Sequence, residues 1–137
     1  MYNIHNEEKL KKKVSMALND LKIESYVFNG NLVHEISIIY LKFDTWISIV
    51  FDDGVLFFQD RTPEYDKYEA EGNTFENPEL ERSKILNLDS VLNKRLEKYK
   101  IYDFTLELEF EGGIKIFCSE VESNNPGYFE KITLQIV

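Results

Sequence analysis

The stretch ISIVFDDGVLFFQ, residues Ile47 to Gln59, returns in loose form as LELEFEGGIKIFC, residues Leu106 to Cys118. In register, Phe51 matches Phe110, Gly54 matches Gly113 and Phe58 matches Phe117. Each copy alternates apolar residues, breaks at an acidic and glycine turn, and alternates again. That pattern is the signature of a β-hairpin.

The register of the second hairpin follows from its side chains. A two-residue turn at Gly112-Gly113 would set Glu109 opposite Ile116 and place carboxylates on the face that must be buried. A three-residue turn, Glu111-Gly112-Gly113, pairs Phe110 with Ile114, Leu108 with Ile116 and Leu106 with Cys118, leaving one face wholly apolar. A one-residue slip exchanges every side chain between faces, so the second register is expected. It also sets Gly113 at the last turn position, where a positive φ is needed. The other face then carries Glu107 and Glu109, with Lys115 opposite Glu109. In the first hairpin a turn at Asp52-Asp53-Gly54 groups Phe51, Ile49 and Ile47 with Val55 and Phe57, and Trp46 and Val50 with Leu56 and Phe58. Both faces are apolar, so this hairpin is expected to be covered on both sides.

Working outward, Asn6 to Lys22 reads as a helix. Asn6 is the candidate cap, Glu7 and Glu8 sit in the first turn, and Leu10, Val14, Ala17, Leu18 and Leu21 form an apolar stripe. The run Lys9, Lys11, Lys12 and Lys13 reads as the solvated face of that helix. Glu24 to Phe28 is a short strand, Asn29-Gly30-Asn31 a turn, and Leu32 to Phe43 a long strand. A second helix is expected over Asp89 to Lys98, with Leu88, Val91, Leu92, Leu96 and Tyr99 at helical spacing. After the second hairpin, residues 122–127 form a turn cluster and Tyr128 to Val137 a last strand. The expected fold is a single α+β domain spanning residues 1–137: a twisted antiparallel β-sheet of about six or seven strands, with two main helices packed mainly on one face.

The 137 residues are 43% hydrophobic and 14% aromatic, enough for one folded core. The single cysteine, Cys118, rules out an intramolecular disulfide and fits a reducing compartment. The N-terminus lacks the apolar run of a signal peptide, and no stretch has the roughly 18 apolar residues of a membrane span. A cytoplasmic protein without membrane contact is expected. The net charge of −9 disfavours nucleic acid as a partner, because phosphates repel it.

No catalytic or metal-binding motif stands out. There is no phosphate-binding glycine loop, no histidine or cysteine cluster of ligand spacing and no nucleophile elbow. The lone strand histidine His34 reads as structural. Glu107 and Glu109 lie about 6.5–7 Å apart along one strand face, a spacing compatible with a carboxylate pair but also with any half-solvated strand. No catalytic residue, metal or cofactor is therefore assigned.

Residues 60–82 contain eight acidic and three basic residues, a net of −5. Tyr65, Tyr68 and Phe75 are interleaved with these acids. A loop this long inside a compact domain is usually functional or mobile. Its aromatics would anchor a basic partner and its carboxylates would steer one.

With VFDDGVLFF, EFEGGIKIF and this acidic aromatic loop in view, the chain resembles the small, acidic, single-domain immunity proteins that bacteria encode beside secreted or contact-delivered toxins. The resemblance implies tight binding to a cognate toxin, often a basic nuclease, and no enzymatic activity. The residues expected to touch the partner are Asp60, Glu64, Tyr65, Asp66, Tyr68, Glu69 and Phe75, with Glu107 and Glu109 as a second patch. Two other classes remain open. One is a small-molecule-binding domain or small enzyme with a pocket lined by Trp46, Tyr40 and His34; the other is a homodimeric subunit. If the loop anchors a toxin, Tyr65→Ala and Tyr68→Ala should weaken partner capture more than Glu71→Gln, as measured by dissociation rates. The reverse ranking would remove the anchor role.

Overall fold

The computed structural model describes the backbone of residues 3–28, 31–63, 85–121 and 131–137, and the side chains of these except 25–28, 31–35 and 131. In chain order the elements are β1 (Asn3–His5), α1 (Glu7–Lys11), β2 (Asp20–Phe28), β3 (Asn31–Lys42), β4 (Trp46–Asp52), β5 (Val55–Gln59), α2 (Leu88–Val91), β6 (Leu96–Tyr102), β7 (Thr105–Phe110), β8 (Lys115–Val121) and β9 (Lys131–Ile136). The nine strands form one curled sheet in the order β1-β5-β4-β3-β9-β8-β7-β6, with β2 paired to β3. All pairings are antiparallel except β1 with β5, so the sheet is mixed.

Strand β3 is the branch point. Along one edge it pairs with β2 from Asp20↔Lys42 to Phe28↔Asn31. Its opposite edge is shared: Ile39–Lys42 pair with β4, and Ile36 pairs with Ile132 of β9. Two arms leave from that edge, β4-β5-β1 and β9-β8-β7-β6. Both contribute to one apolar core that includes Ile47, Ile49, Phe51, Leu56 and Phe58 from the first arm, and Leu106, Leu108, Phe110, Ile116 and Cys118 from the second.

This overturns the expected α+β architecture. Among the described residues there are only two helices, of five and four residues, and the protein is mostly β. The helix expected from Asn6 to Lys22 ends at Lys11, and Asn6 stands in a left-handed conformation with no side-chain cap bond. Ser15, at φ 77°, turns the chain out of helical geometry. Residues 15–18 then pair with 93–96. The Ser15 N–H donates to the Leu96 carbonyl (2.7 Å), Leu96 to Met16 (2.9 Å), Leu18 to Lys94 (2.9 Å) and Asn93 to Leu18 (2.7 Å). The helix expected over Asp89–Lys98 is cut by the same pairing. Its first turn forms, Asn93 reverses at φ 69°, and Leu96 opens strand β6. Leu10, Val14, Leu18 and Leu21 fit a helical stripe, but Val14, Met16 and Leu18 also alternate, as do Leu21 and Ile23. Pairing between distant segments selects the alternation, because propensity is a weak prior against tertiary contacts.

The second hairpin has the expected register: Leu106↔Cys118, Leu108↔Ile116 and Glu109↔Lys115, with the Phe110 N–H donating to the Ile114 carbonyl at 2.8 Å. Its turn, Glu111-Gly112-Gly113, is a single 3-10 turn with Gly112 and Gly113 at φ 82° and 79°. The first hairpin differs by one residue. Asp52 pairs with Val55, leaving a two-residue turn, Asp53-Gly54, with φ 46° and 80°. This is the mirror-image turn that suits the twist of the flanking strands. Ile47, Ile49 and Phe51 therefore share the core face with Leu56 and Phe58, all fully buried, and not with Val55 and Phe57. Trp46, Val50, Val55 and Phe57 occupy the outer face, half-buried. The loose repeat does not survive the change in turn length: Phe58 points into the core, whereas Phe117, opposite Glu107, lies on the outer face.

Helix α1 ties the two arms together. Leu10 is fully buried in the core. On its flanks Lys9 pairs with Asp60 just after β5 (2.5 Å), and the Tyr99 hydroxyl of β6 donates to Glu7 (2.6 Å). Lys13, expected on a solvated face, is instead buried, donating to Asp44 (2.5 Å) and Thr45 (2.9 Å) in the β3–β4 turn. Leu10→Ala should therefore cost about 2–5 kcal/mol in urea denaturation, as for other large-to-small core changes. A loss below about 0.5 kcal/mol, typical of surface changes, would place α1 outside the core.

Candidate functional site

Three of the expected partner-binding residues fall among the described ones: Asp60, Glu107 and Glu109. Glu64, Tyr65, Asp66, Tyr68, Glu69 and Phe75 lie outside them. The described three are not brought together. Asp60 follows β5 on one arm, and Glu107 and Glu109 lie on β7 of the other. Each is already ion-paired. Lys9 donates to Asp60 and holds its carboxyl below the usual range.

On the outer face of β6–β7–β8 the acids and lysines interleave. Lys98 pairs with Glu109 (3.2 Å) and Lys100 with Glu107 (3.4 Å), while Lys115 reaches both, at 3.9 Å from Glu107 and 3.7 Å from Glu109. The Tyr102 hydroxyl donates to Glu107 at 3.0 Å. Cross-strand register explains the ladder, since Lys100↔Glu107 and Glu109↔Lys115 are direct partners. Glu107, expected on a half-solvated face, is 5% exposed. Burial pushes its carboxyl up, but the Tyr102 hydroxyl, Lys100 and Lys115 outweigh that and hold it below the usual carboxylate range. The Tyr102 phenol is pushed up in turn, by desolvation and by Glu107. This network is a ladder of ion pairs in which three lysines share two glutamates.

At the end of this face lies a feature that the sequence reading missed. Strands β6 and β7 are joined by the two-residue turn Asp103-Phe104, closed by Tyr102↔Thr105. Both turn residues have positive φ, 41° and 61°. Asn, Asp and Gly favour such positions, so Asp103 suits its place, whereas the left-handed conformation costs other residues about 1–2 kcal/mol. Yet Phe104 occupies one, and is 54% exposed, beside Tyr102 at 40%. The Phe104 carbonyl accepts the Glu120 N–H (2.9 Å), and the Thr105 and Ser119 hydroxyls lie 2.9 Å apart. The alternation Lys98-Tyr99-Lys100-Ile101-Tyr102 was the available signal for β6, but the helical reading of Asp89–Lys98 absorbed its start.

Of the residues suggested for a small-molecule pocket, Tyr40 and Trp46 lie on one face of β3–β4. Tyr40 is fully buried, its hydroxyl donating to Glu24 at 2.5 Å. Trp46 is half-buried on the same face, with the ammonium groups of Lys22 and Lys42 each 5.8 Å from its ring. The side chain of His34 lies outside the described residues. The Ser48 hydroxyl, directly across from Tyr40, is buried without a hydrogen-bond partner among the described residues. Cys118 is fully buried, and burial pushes its thiol up to about 12, so it stays protonated at neutral pH and is not a nucleophile. Among the described residues no three His, Cys, Asp or Glu side chains gather as metal ligands, and no helix is long and apolar enough to cross a membrane.

Comparison with protein-family models, with curated proteins and with solved structures finds no match to this chain.

The ladder makes a pH-dependent prediction. The folded-state value of Glu107 lies below its unfolded one, so its contribution is present above the unfolded value and is lost as pH falls through the folded one. The difference in unfolding free energy between the wild type and Glu107→Gln should be largest near neutral pH. It should shrink on acidification below about pH 4.3, the ordinary glutamate value. A difference that stays constant with pH in denaturant titrations would separate Glu107 from the ladder's stability.

Proposed function

We propose that this protein is an acidic inhibitor that acts by binding a basic protein, in the manner of a cytoplasmic immunity protein neutralising a cognate toxin. The observation that carries the reading is how its charges are distributed. Lys9, Lys11, Lys13, Arg95, Lys98, Lys100 and Lys115 are each ion-paired within the chain. Exposed carboxylates at Glu8, Asp52, Asp53, Asp89, Glu97 and Asp103 have no such pair among the described residues. Seven of the sixteen cations are thus engaged by the chain's own acids, these six carboxylates face solvent, and the chain as a whole carries −9. A field of that sign repels phosphate backbones, raises the encounter rate with a cationic protein, and disfavours wrong partners. A nuclease, whose substrate site must be basic, is the partner class such a surface suits best.

The experiment is affinity capture from a lysate of the native host at low and high salt, followed by expression of the captured protein alone and with this chain. A single basic protein retained at both salts, whose toxicity disappears on co-expression, is the expected result. Capture that vanishes at modest salt would reduce the acidic surface to weak, screened attraction. A captured protein that is harmless on its own would remove the toxin from the reading.

A further inference from the structure

We infer that the outer face of β2–β3–β4 binds a small-molecule oxyanion, a carboxylate or phosphate group held between Lys22 and Lys42 beside Trp46. The inference stands on other residues than the protein-binding reading above and does not need it.

Register brings the groups together. Lys42 lies directly across from Trp46, and Tyr40 lies between Lys22 on one side and Ser48 on the other. Along each strand the neighbours are two residues apart, so all five side chains share one face. It is the face opposite the core residues Ile39, Leu41, Ile47 and Ile49. The ammonium groups of Lys22 and Lys42 each stand 5.8 Å from the centre of the Trp46 ring, so cations from two strands converge on one indole.

The fold leaves these two cations without a counter-charge. Lys9, Lys13, Lys98, Lys100 and Lys115 each reach an acid on another element. Lys22 and Lys42 pair with no acid among the described residues, although Asp20 is the cross-strand partner of Lys42 and stands two residues from Lys22. Asp20 instead accepts the Leu21 N–H at 2.8 Å, and Glu24, two residues beyond Lys22, accepts the Tyr40 hydroxyl at 2.5 Å. The indole face attracts each ammonium group but does not cancel their mutual repulsion; an oxyanion between them would. Ser48 is the second observation. Its hydroxyl is fully buried and has no hydrogen-bond partner among the described residues. Such a group costs stability when left unsatisfied, and nearly all buried polar atoms are bonded. It lies on the same face, two residues from Trp46 along β4, and can donate to an oxyanion.

The donors select the occupant. Two ammonium groups and a hydroxyl call for oxygen acceptors, and the pair of positive charges calls for an anion. Half-buried Trp46 and Val50 beside them suit a ring or a short apolar body. A phosphate monoester and an aromatic carboxylate share that chemistry. Two cations answer one oxyanion and not a run of backbone phosphates, which makes the ligand a small molecule. Acids elsewhere on the chain do not decide the contact, because charges beyond about 10 Å are screened at 0.1 M salt.

Trp46 is the only tryptophan of the chain, so its fluorescence reads this site alone. The probes are inorganic phosphate and benzoate, each titrated into the full chain at an ionic strength held constant with chloride. The expected result is a saturable change in Trp46 emission with at least one probe. Lys22→Gln and Lys42→Gln should each weaken that binding at least about tenfold, the loss expected on removing one charged hydrogen bond. Ser48→Ala should weaken it too, while thermal stability stays unchanged or rises, because an unsatisfied hydroxyl is removed. Saturation by phosphate alone assigns the site to phosphorylated ligands, and saturation by benzoate alone assigns it to aromatic carboxylates. An emission change that chloride reproduces, or binding that survives both lysine substitutions, overturns the inference. If Ser48→Ala lowers stability and leaves binding intact, the hydroxyl is structural and the inference falls. None of these outcomes touches the capture of a protein partner, so the two readings fail separately.

Discussion

The antiparallel pairing of residues 15–18 with 93–96 is the contact on which the rest of this structure depends. Besides their root at β3 and the contacts of α1 with Asp60 and Tyr99, it is what joins the two arms that branch from β3. With it, the segment leading into β2 is joined to the start of β6, the last strand of the longer arm, and the curl closes around one core. The four backbone hydrogen bonds here cannot coexist with helices through Leu18 and Leu96, because the same N–H and C=O groups would be spent within each helix. A choice between local and long-range bonding is thus made once, and it sets the class of the fold.

Charge follows the same geometry. Lysine is placed where two elements must be held: Lys9 between α1 and the end of β5, Lys13 between the end of α1 and the β3–β4 turn, Lys115 between two glutamates of the neighbouring strand. Lys13 illustrates the cost involved. A buried ammonium group is tolerable only with its donors satisfied, and Asp44 and Thr45 satisfy it. Asp44 is held below the usual carboxylate range, chiefly by the Lys13 hydrogen bond. Each such pair neutralises one acid along with one lysine, so the acidic excess of −9 is set by composition, and the fold decides only which carboxylates remain unpaired.

The hairpins show what a sequence can and cannot specify. The register of Leu106–Cys118 was legible because the alternative would have buried Glu109 and Glu111; a charge on the wrong face costs enough to exclude a slip. The first hairpin offered no such penalty. Apolar residues fill both of its faces, so the one-residue difference between a turn at Asp52-Asp53-Gly54 and one at Asp53-Gly54 carried no polarity signal. Only the Asp-Gly preference for the mirror-image turn pointed to the shorter loop. The helices failed for a related reason. Leu10, Val14, Leu18 and Leu21 satisfy a period of 3.6, and Val14, Met16 and Leu18 a period of 2, so periodicity alone could not arbitrate. Of the expected partner residues, Asp60, Glu107 and Glu109 were legible as exposed-looking acids. Their lysine partners were not, since those lie on other strands or on α1.

The same contrast separates the ladder from the hairpin tip. Along β6 and β7, Lys98, Lys100, Glu107 and Glu109 each have a charged partner one strand away. At the turn Asp103 suits its positive φ as Asp53 does, but Phe104 stands where the backbone favours Gly, and its side chain is largely exposed. Sequences that specify a structure are locally consistent with it, and departures from consistency gather where something other than folding selects the residue. The ladder bears on this directly. Tyr102 bonds to Glu107, and Glu107 pairs with Lys100 and Lys115, so the residue that precedes the turn is tied to three strands.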